Sequence, residues 1–314
     1  MARHEIPTAT YFVAESTSEA LDALKRGMFG DESAPVVVKA DGLAAGKGVV
    51  VARDRKEAMG AIADLEAIAG AEAASKIVLE EFLEGREISL IMFAVGESFA
   101  LMPPTRDHKR IGEGDTGPNT GGMGTITDDN LLTAEQRERI ISEIIRPTLK
   151  GCVDEGFPFR GILFLGLMTT ADGPKVLEYN VRFGDPETQS ILVRLETDLV
   201  DICEAMLEGK LAQTVIKWRP GNSATVVLAA EGYPQSPKKG DTIRGVEDAA
   251  KEPGVTVFHS GTSISLSGEL ITAGGRVLGI TATGDSLGEA LEHSYGAITK
   301  IAWDGMQFRR DIGK

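Results

Sequence analysis

Glu178, Asn180 and Arg182 alternate with apolar Leu177, Tyr179 and Val181 in one short segment. In an extended strand, residues two apart share a face, so a carboxylate, an amide oxygen and a guanidinium are expected to point the same way. Such a face offers hard oxygen ligands to Mg²⁺ and, one step on, a fixed cation to an anionic group. The alternative is a polar face turned to water. For Glu178 and Asn180 alone the two readings are even; the apolar flanks and Arg182 favour a site. Gly184-Asp185-Pro186 then breaks the strand, and Pro186 suits the first turn of a helix expected over residues 186–208.

Two further stretches carry chemistry. Arg106, His108, Lys109 and Arg110 cluster positive charge, and Gly112, Gly114, Gly117, Gly121, Gly122 and Gly124 follow them closely enough to wrap a small ligand with backbone. Residues 103–129 show neither helical nor strand periodicity, and so long an irregular stretch in a folded domain is functional or disordered. His108 can serve as acid or base, with hydrogen bonding and positioning as the safer role. Earlier, Lys39 and Lys47 bracket a small-residue loop that returns into 49–51. It is not a Walker A loop, because Asp41 stands where a glycine is required and Gly48 where Ser or Thr is required. Backbone N–H groups and two ammonium groups can still close over phosphates. A glycine hairpin with two solvated lysines is the alternative. Glu80 and Glu81 end an apolar strand and Glu87 begins the next, where a carboxylate can accept from ribose hydroxyls. Alone they read as edge-strand charges that discourage aggregation.

The elements that position these groups are an α+β mixture. Ser16 and Glu19 have capping-box spacing before a helix ending near Arg26, and Asp54 caps a helix running to about residue 69. Strands are expected over 35–39, 49–51, 77–83, 87–95, 161–170 and 174–182, and later over 224–230, 255–260 and 276–283. Thr133 opens a helix to about residue 155 with a kink or break at Pro147, and Ser286 opens the last helix. Trp218-Arg219-Pro220-Gly221 suggests a linker over 210–221 between domains 1–209 and 222–314.

Composition bounds the function. The 314 residues are 42% hydrophobic and 25% charged, ordinary values for a globular protein. A net charge of −14 argues against nucleic acid as a partner. No apolar run is long enough to cross a bilayer, and no basic-then-apolar secretory signal opens the chain. Cys152 and Cys203 lack metal-ligand spacing and read as thiols in a reducing cytoplasm.

Residues 39–48, 80–87 and 178–182 together resemble the nucleotide site of the ATP-grasp superfamily. Asp107-His108-Lys109-Arg110, the run from Asp115 to Gly124, and Arg182-Phe183-Gly184-Asp185-Pro186-Glu187-Thr188-Gln189 narrow the resemblance to the phosphoribosylamine–glycine ligase family, over essentially the whole chain. It implies two α+β subdomains enclosing ATP, with a nucleotide-closing part at about 34–103, followed by a small mixed α/β C-terminal domain. It implies that ATP phosphorylates glycine and that 5-phosphoribosylamine attacks the glycyl phosphate, giving glycinamide ribonucleotide, ADP and phosphate. By the same resemblance, Glu178 and Asn180 hold Mg²⁺ or Mn²⁺. Lys39, Gly46, Lys47 and Gly48 contact ATP phosphates, Glu80 and Glu81 flank adenine, and Glu87 binds ribose. Arg182, Asp107, His108, Lys109 and Arg110 steady the acyl phosphate. Asn119, Thr120, Gly121, Gly122, Asp185, Pro186 and Glu187 line the substrate site. Three departures accompany the match. The family's additional N-terminal domain, with much of its phosphoribosylamine site, is expected to be missing ahead of Met1. Arg106 replaces a neutral residue, and Thr125-Ile126-Thr127-Asp128 replaces a Tyr- and Pro-containing run. Two other readings stay open: an ATP-binding module without full ligase activity, and another ATP-grasp carboxylate–amine ligase.

Overall fold

Local signals set many of the element ends. The computed structural model describes residues 1–42, 48–70 and 73–314, and the side chains of all of these but 66, 68, 69 and 73. Contacts divide the chain into a smaller unit, Pro7–Arg86 with Thr170–Lys175, and a larger one, Met1–Ile6, Glu87–Thr169 and Val176–Lys314.

In the smaller unit, β1 (Tyr11–Ala14), α1 (Thr17–Lys25), β2 (Val36–Ala40), β3 (Val49–Ala52), α2 (Arg55–Ala69) and β4 (Ile77–Glu81) succeed one another. Ser16 Oγ accepts from Glu19 N, and Asp54 accepts from Glu57 N, as the capping residues foretell. The antiparallel sheet runs β1-β4-β2-β3. Val36, Val38, Ile77 and Leu79 are buried with Leu24 and Leu65 in one core. Strand alternation therefore puts Lys39 and Glu80 on the other face.

After Met1–Ile6, the larger unit takes up the chain again at Glu87, in β5 (Arg86–Val95), followed by β6 (Ser98–Leu101). Residues 103–129, expected to be irregular, contain β7 (Thr105–Asp107), β8 (Arg110–Gly112), β9 (Thr116–Asn119) and β10 (Gly124–Thr127). These strands are only three or four residues long, so no alternation could reveal them. Then come α3 (Ala134–Ile140), a π-helical stretch (Ile141–Ile145) and α4 (Arg146–Asp154). Pro147 cannot donate to the helical ladder, and the wider turn just before it marks the expected disturbance. β11 (Arg160–Thr170) and β12 (Gly173–Asn180) follow.

The helix expected over 186–208 is two: α5 (Glu187–Leu192) and α6 (Leu199–Leu207). Between them Glu196 N donates to Lys217 O, Arg219 N to Arg194 O, and Leu195 bridges Trp218. Backbone groups paired with a distant segment are lost to a helical ladder, and Asp198 recaps the chain through Val200 N. The expected linker over 210–221 thus folds back as a pairing partner.

The remaining elements are β13 (Asn222–Ala229), α7 (Val246–Ala249), β14 (Val255–His259), β15 (Thr262–Ile264), β16 (Leu270–Thr272), β17 (Arg276–Gly284) and α8 (Leu287–Ile298). Among the described residues one sheet runs β12-β11-β5-β7-β10-β13-β17-β14, with β6 paired to β5. Residues on both sides of the expected linker therefore share a sheet and one core, which includes Ile88, Met92, Leu165, Val226, Ile280 and Ile298.

Candidate active site

In the larger unit, β7 delivers Asp107 and, just beyond its end, Lys109; β5 brings Glu87 near its start; α5 begins with Glu187. Lys109 Nζ pairs with Glu87 Oε1. Burial lowers the affinity of Lys109 for its proton, but Glu87, Asp107 and Glu178 outweigh it, so the ammonium is held well above its ordinary pKa. Asp107 and Glu187 move the other way: both carboxyls are pushed up, first by burial. For Asp107 the charge of Glu187 comes next, and Lys109 offsets only part of the shift. Glu187 is 5% exposed and accepts from Ser89 Oγ at 3.3 Å. The result is a fixed cation among carboxylates, two of them resisting ionisation.

The glycine-rich run closes on this cluster. Thr120 N and Oγ1 both donate to Lys109 O, at 2.8 and 2.9 Å, and Gly122 N donates to Thr120 Oγ1. Gly122 has φ +109°, and a Cβ there would lie 2.5 Å from Pro186 Cδ and 2.7 Å from Asp107 Oδ1. Only glycine lets the backbone pass between these groups. Gly121 and Asn119 are exposed. Arg110 is engaged away from the carboxylates: its Nη1 donates to Gly117 O at 2.7 Å within its own hairpin.

His108 is held by backbone at both ring nitrogens. It is 5% exposed, with Nδ1 3.1 Å from Gly124 O, and Gly313 N donates to its Nε2 at 3.1 Å. Those partners require a neutral ring protonated on Nδ1. Burial, and next the nearby Arg106 charge, lower its pKa to about 4. His108 fastens β10 and the C-terminal segment to β7, in keeping with the positioning role that the sequence offered beside that of acid or base.

β12 ends at Asn180, so Arg182 does not ride the strand with Glu178 and Asn180. Val181 is 72% exposed, the alternation having stopped, and Arg182 Nη1 donates to Phe183 O at 2.8 Å. Glu178 and Asn180 do come together: Asn180 Nδ2 lies 3.4 Å from Glu178 Oε1. Asp185 is exposed, accepts from Gln189 Nε2 at 3.2 Å and precedes the buried Pro186.

In the smaller unit, Lys39 Nζ lies 2.7 Å from Glu80 Oε2. Glu81, on the opposite face, accepts from Thr10 N and from Lys175 Nζ. The Thr10 N–H holds its carboxyl below the usual range. Gly48 is buried and its carbonyl accepts from Ala40 N, whereas Gly46 and Lys47 lie outside the described residues. Glu87, expected beside these groups, belongs to the larger unit.

Several contributors were not foreseen. Ser89 and Thr125 bond Glu187 and the Pro186 carbonyl. Tyr233, Arg276 and Arg309 reach the glycine-rich run from more than a hundred residues away. Arg276 follows the glycine pair Gly274-Gly275, a local pattern that could have singled it out. A cavity of about 530 Å³ lined by Arg3, His4, Arg146 and Lys150 contains none of the expected site residues.

Comparison with known proteins gives the family. The one described as phosphoribosylglycinamide synthetase, ATP-grasp (A) domain, matches residues 1–188, and its C domain matches residues 223–314. Phosphoribosylamine–glycine ligase of Vibrio parahaemolyticus is 49% identical over the whole chain, which spans 72% of that protein. The ligase of Mesorhizobium japonicum is 48% identical over 99% of the chain, again 72% of the relative. The crystal structure of the Thermotoga maritima ligase superposes with a TM-score of 0.87 at 36% identity, covering 100% of this chain and 76% of that one. A biotin carboxylase domain from Hydrogenobacter thermophilus, solved with MgADP, gives a TM-score of 0.71 at 17% identity, over 98% of this chain and 65% of that one. That last likeness is one of fold. With both domain matches, whole-chain identity near one half and the Thermotoga superposition, the chain belongs to the phosphoribosylglycinamide synthetase family, the ATP-grasp ligases that join phosphoribosylamine to glycine in purine biosynthesis.

Proposed function

We propose that the Asp107–Glu187 pair receives the glycine ammonium in this ATP-dependent ligation. The observation that carries the reading is that both carboxyls are buried, raised in pKa and set against the glycine-rich backbone. A bound ammonium supplies the compensating charge that Lys109, already paired with Glu87, provides only in part. Lys109, held protonated, faces the charge that grows as glycine becomes glycyl phosphate. Positioning and electrostatics dominate phosphoryl transfer, so no protein nucleophile is required. Glycine's carboxylate attacks the γ-phosphorus, ADP leaves, and the amine of phosphoribosylamine then displaces phosphate from the glycyl carbon.

Glu178 and Asn180 fit a divalent cation: the Asn180 amide N–H turns toward Glu178, leaving Oδ1 as a second hard oxygen donor beside the carboxylate. Two protein oxygens leave the rest of the shell to phosphate oxygens and water, which suits Mg²⁺ over metals that demand nitrogen or sulfur. Bound there, the cation neutralises triphosphate charge. On the smaller unit, Lys39 is the described cation for ATP phosphates, and the strand end at Glu80 and Glu81 takes the adenine edge. Glu87, paired with Lys109, takes ribose hydroxyls less strongly than the resemblance implies. Arg182, exposed just past β12, is left to steady the acyl phosphate.

The test is glycine-dependent hydroxamate formation from ATP, Mg²⁺ and hydroxylamine. Glu187→Gln is expected to raise the glycine KM about 10- to 100-fold, the range of a charged hydrogen bond, with the ATP KM within twofold. Equal changes in both constants refute the ammonium assignment. The sign of the pH effect follows from the raised pKa values: the protonated pair cannot take a cation, so the glycine KM falls as pH rises through the pair's titration, above the ordinary carboxylate range. For the cation, Glu178→Ala is expected to abolish Mg²⁺-dependent ATP binding more severely than Glu87→Ala does; superimposable titrations of the two variants refute that assignment.

A further inference from the structure

Arg276 joins the two segments that the proposed glycine site is made of. Its Nη1 donates to Gly121 O at 2.6 Å and to Asp185 O at 2.8 Å, and lies 3.2 Å from Asp185 Oδ1. The guanidinium lies flat over Gly121: a Cβ on that residue would stand 3.0 Å from Arg276 Cζ. From the same side of the chain, Tyr233 OH accepts from Gly121 N at 3.0 Å. Its ring packs on Gly275, where a Cβ would come within 2.3 Å of Tyr233 Cδ2. The β13–β17 ladder slips at this point: Leu228 opposes Leu278 but Ala229 opposes Arg276. The extra residue, Val277, bends the strand where Arg276 must be aimed out of the ladder, and bulges re-aim side chains beside sites in this way.

We infer that Arg276, seconded by Tyr233, is a positioning residue that clamps the glycine-rich run and the Asp185–Glu187 turn into one substrate-binding surface. This rests on the reading of that surface as the glycine site, and it adds that residues of the C-terminal segment complete it. One guanidinium nitrogen meets three acceptors on two segments, so the segments hold their spacing before substrate arrives. Pre-organisation of this kind lowers the ordering cost of binding and acts on affinity first. Lysine carries the charge but lacks the rigid fork.

Two readouts test the clamp on the full chain. Hydrogen exchange followed by mass spectrometry is expected to rise at least tenfold over residues 119–124 and 184–188 in Arg276→Ala, with β13 and β17 protection unchanged and with Arg276→Lys in between. The glycine KM of Arg276→Ala is expected to rise at least fivefold with the ATP KM unchanged. Wild-type exchange in both segments of a folded Arg276→Ala overturns the proposal. If protection is lost in β13 and β17 as well, Tyr233→Phe decides, since it removes only one hydroxyl: faster exchange at Gly121 supports the clamp and an unchanged rate overturns it. Because exchange needs no turnover, a failure of the glycine assignment shows in the hydroxamate assay and leaves the exchange result on the clamp unaffected.

Discussion

At His108 a single ring separates what residue type allows from what its surroundings permit. An imidazole beside Lys109 in a functional motif reads as an acid or base, yet both its nitrogens are engaged by backbone and it is 5% exposed. Its pKa is lowered from the ordinary 6.5 to about 4, by burial first. The folded state therefore resists the proton that the unfolded chain takes up: the stabilisation is present above pH 6.5 and lost as pH falls to about 4. A shift of this size is worth about 3 kcal/mol. His108→Gln is expected to flatten the stability curve in that window, measured by urea unfolding at each pH; a curve as steep as the wild type's contradicts a neutral, buried His108. Asp107 and Glu187 act in the opposite sense. Their raised pKa values favour the fold at low pH, and that contribution is lost as pH rises through the pair's titration. Gly122→Ala makes a second residue-scale case. The added methyl meets Pro186 and Asp107 at a positive φ, so glycine-dependent turnover is expected to fall at least 100-fold, a cost of about 3 kcal/mol or more from strain and displacement.

Between elements, a chain of buried hydroxyls ties α5 to the sheet. Thr281 and Thr225 lie 2.7 Å apart, Thr225 and Ser190 2.8 Å, and Ser190 and Thr125 2.5 Å; Thr125 Oγ1 then donates to Pro186 O at 3.1 Å. All four hydroxyl residues are fully buried. Since the last bond must be donated, the chain runs one way, from β17 through β13 and α5 to β10. It gives Thr125 a structural role: the hydroxyl holds the turn that leads to Glu187. Thr225→Val keeps the shape and leaves two hydroxyls short of a partner, so a loss of roughly 1–3 kcal/mol is expected, read as a shift in the urea midpoint with unchanged slope. A loss below about 0.5 kcal/mol, the scale of an ordinary surface change, contradicts the chain. Helix starts at Ser16, Thr133 and Ser286 were legible because a cap depends on residues three apart. The break between α5 and α6 was not, because the pairing that causes it comes from residues 217–219.

Across the molecule, Arg309 shows how the C-terminal segment is bound to the glycine-rich run. It is 2% exposed, grips Asp311 through Nε and Nη2, and reaches Asp115 Oδ1 at 2.7 Å and Arg110 O at 3.1 Å through Nη1. Arg309 first of all lowers the Asp311 pKa to about 2, so this part of the stability is lost as pH falls from the ordinary carboxylate range through about 2. Arg309→Met is expected to cost about 3 kcal/mol at neutral pH, the low end for breaking a buried ion pair, and less at pH 2. Intrinsic fluorescence isolates the effect, because Trp218 and Trp303 both belong to the larger unit.

The sequence by itself determined the ligase chemistry through its resemblance to the family, because the motifs that carry the resemblance are contiguous runs: Asp107 to Arg110, Asp115 to Gly124 and Arg182 to Gln189. It also determined the α+β character, which follows from period and caps within a few residues. Only the tertiary structure decided which of those residues are buried and what they bond, because burial and partner choice are set by chain far away. Gly124 and Gly313 take up His108, Glu87 takes up Lys109, and Arg276 reaches Gly121 across 155 positions. Hydrogen-bond partners at such separations leave no local period to read, so the charge state of His108 and the clamp on the glycine-rich run exist only in the folded chain.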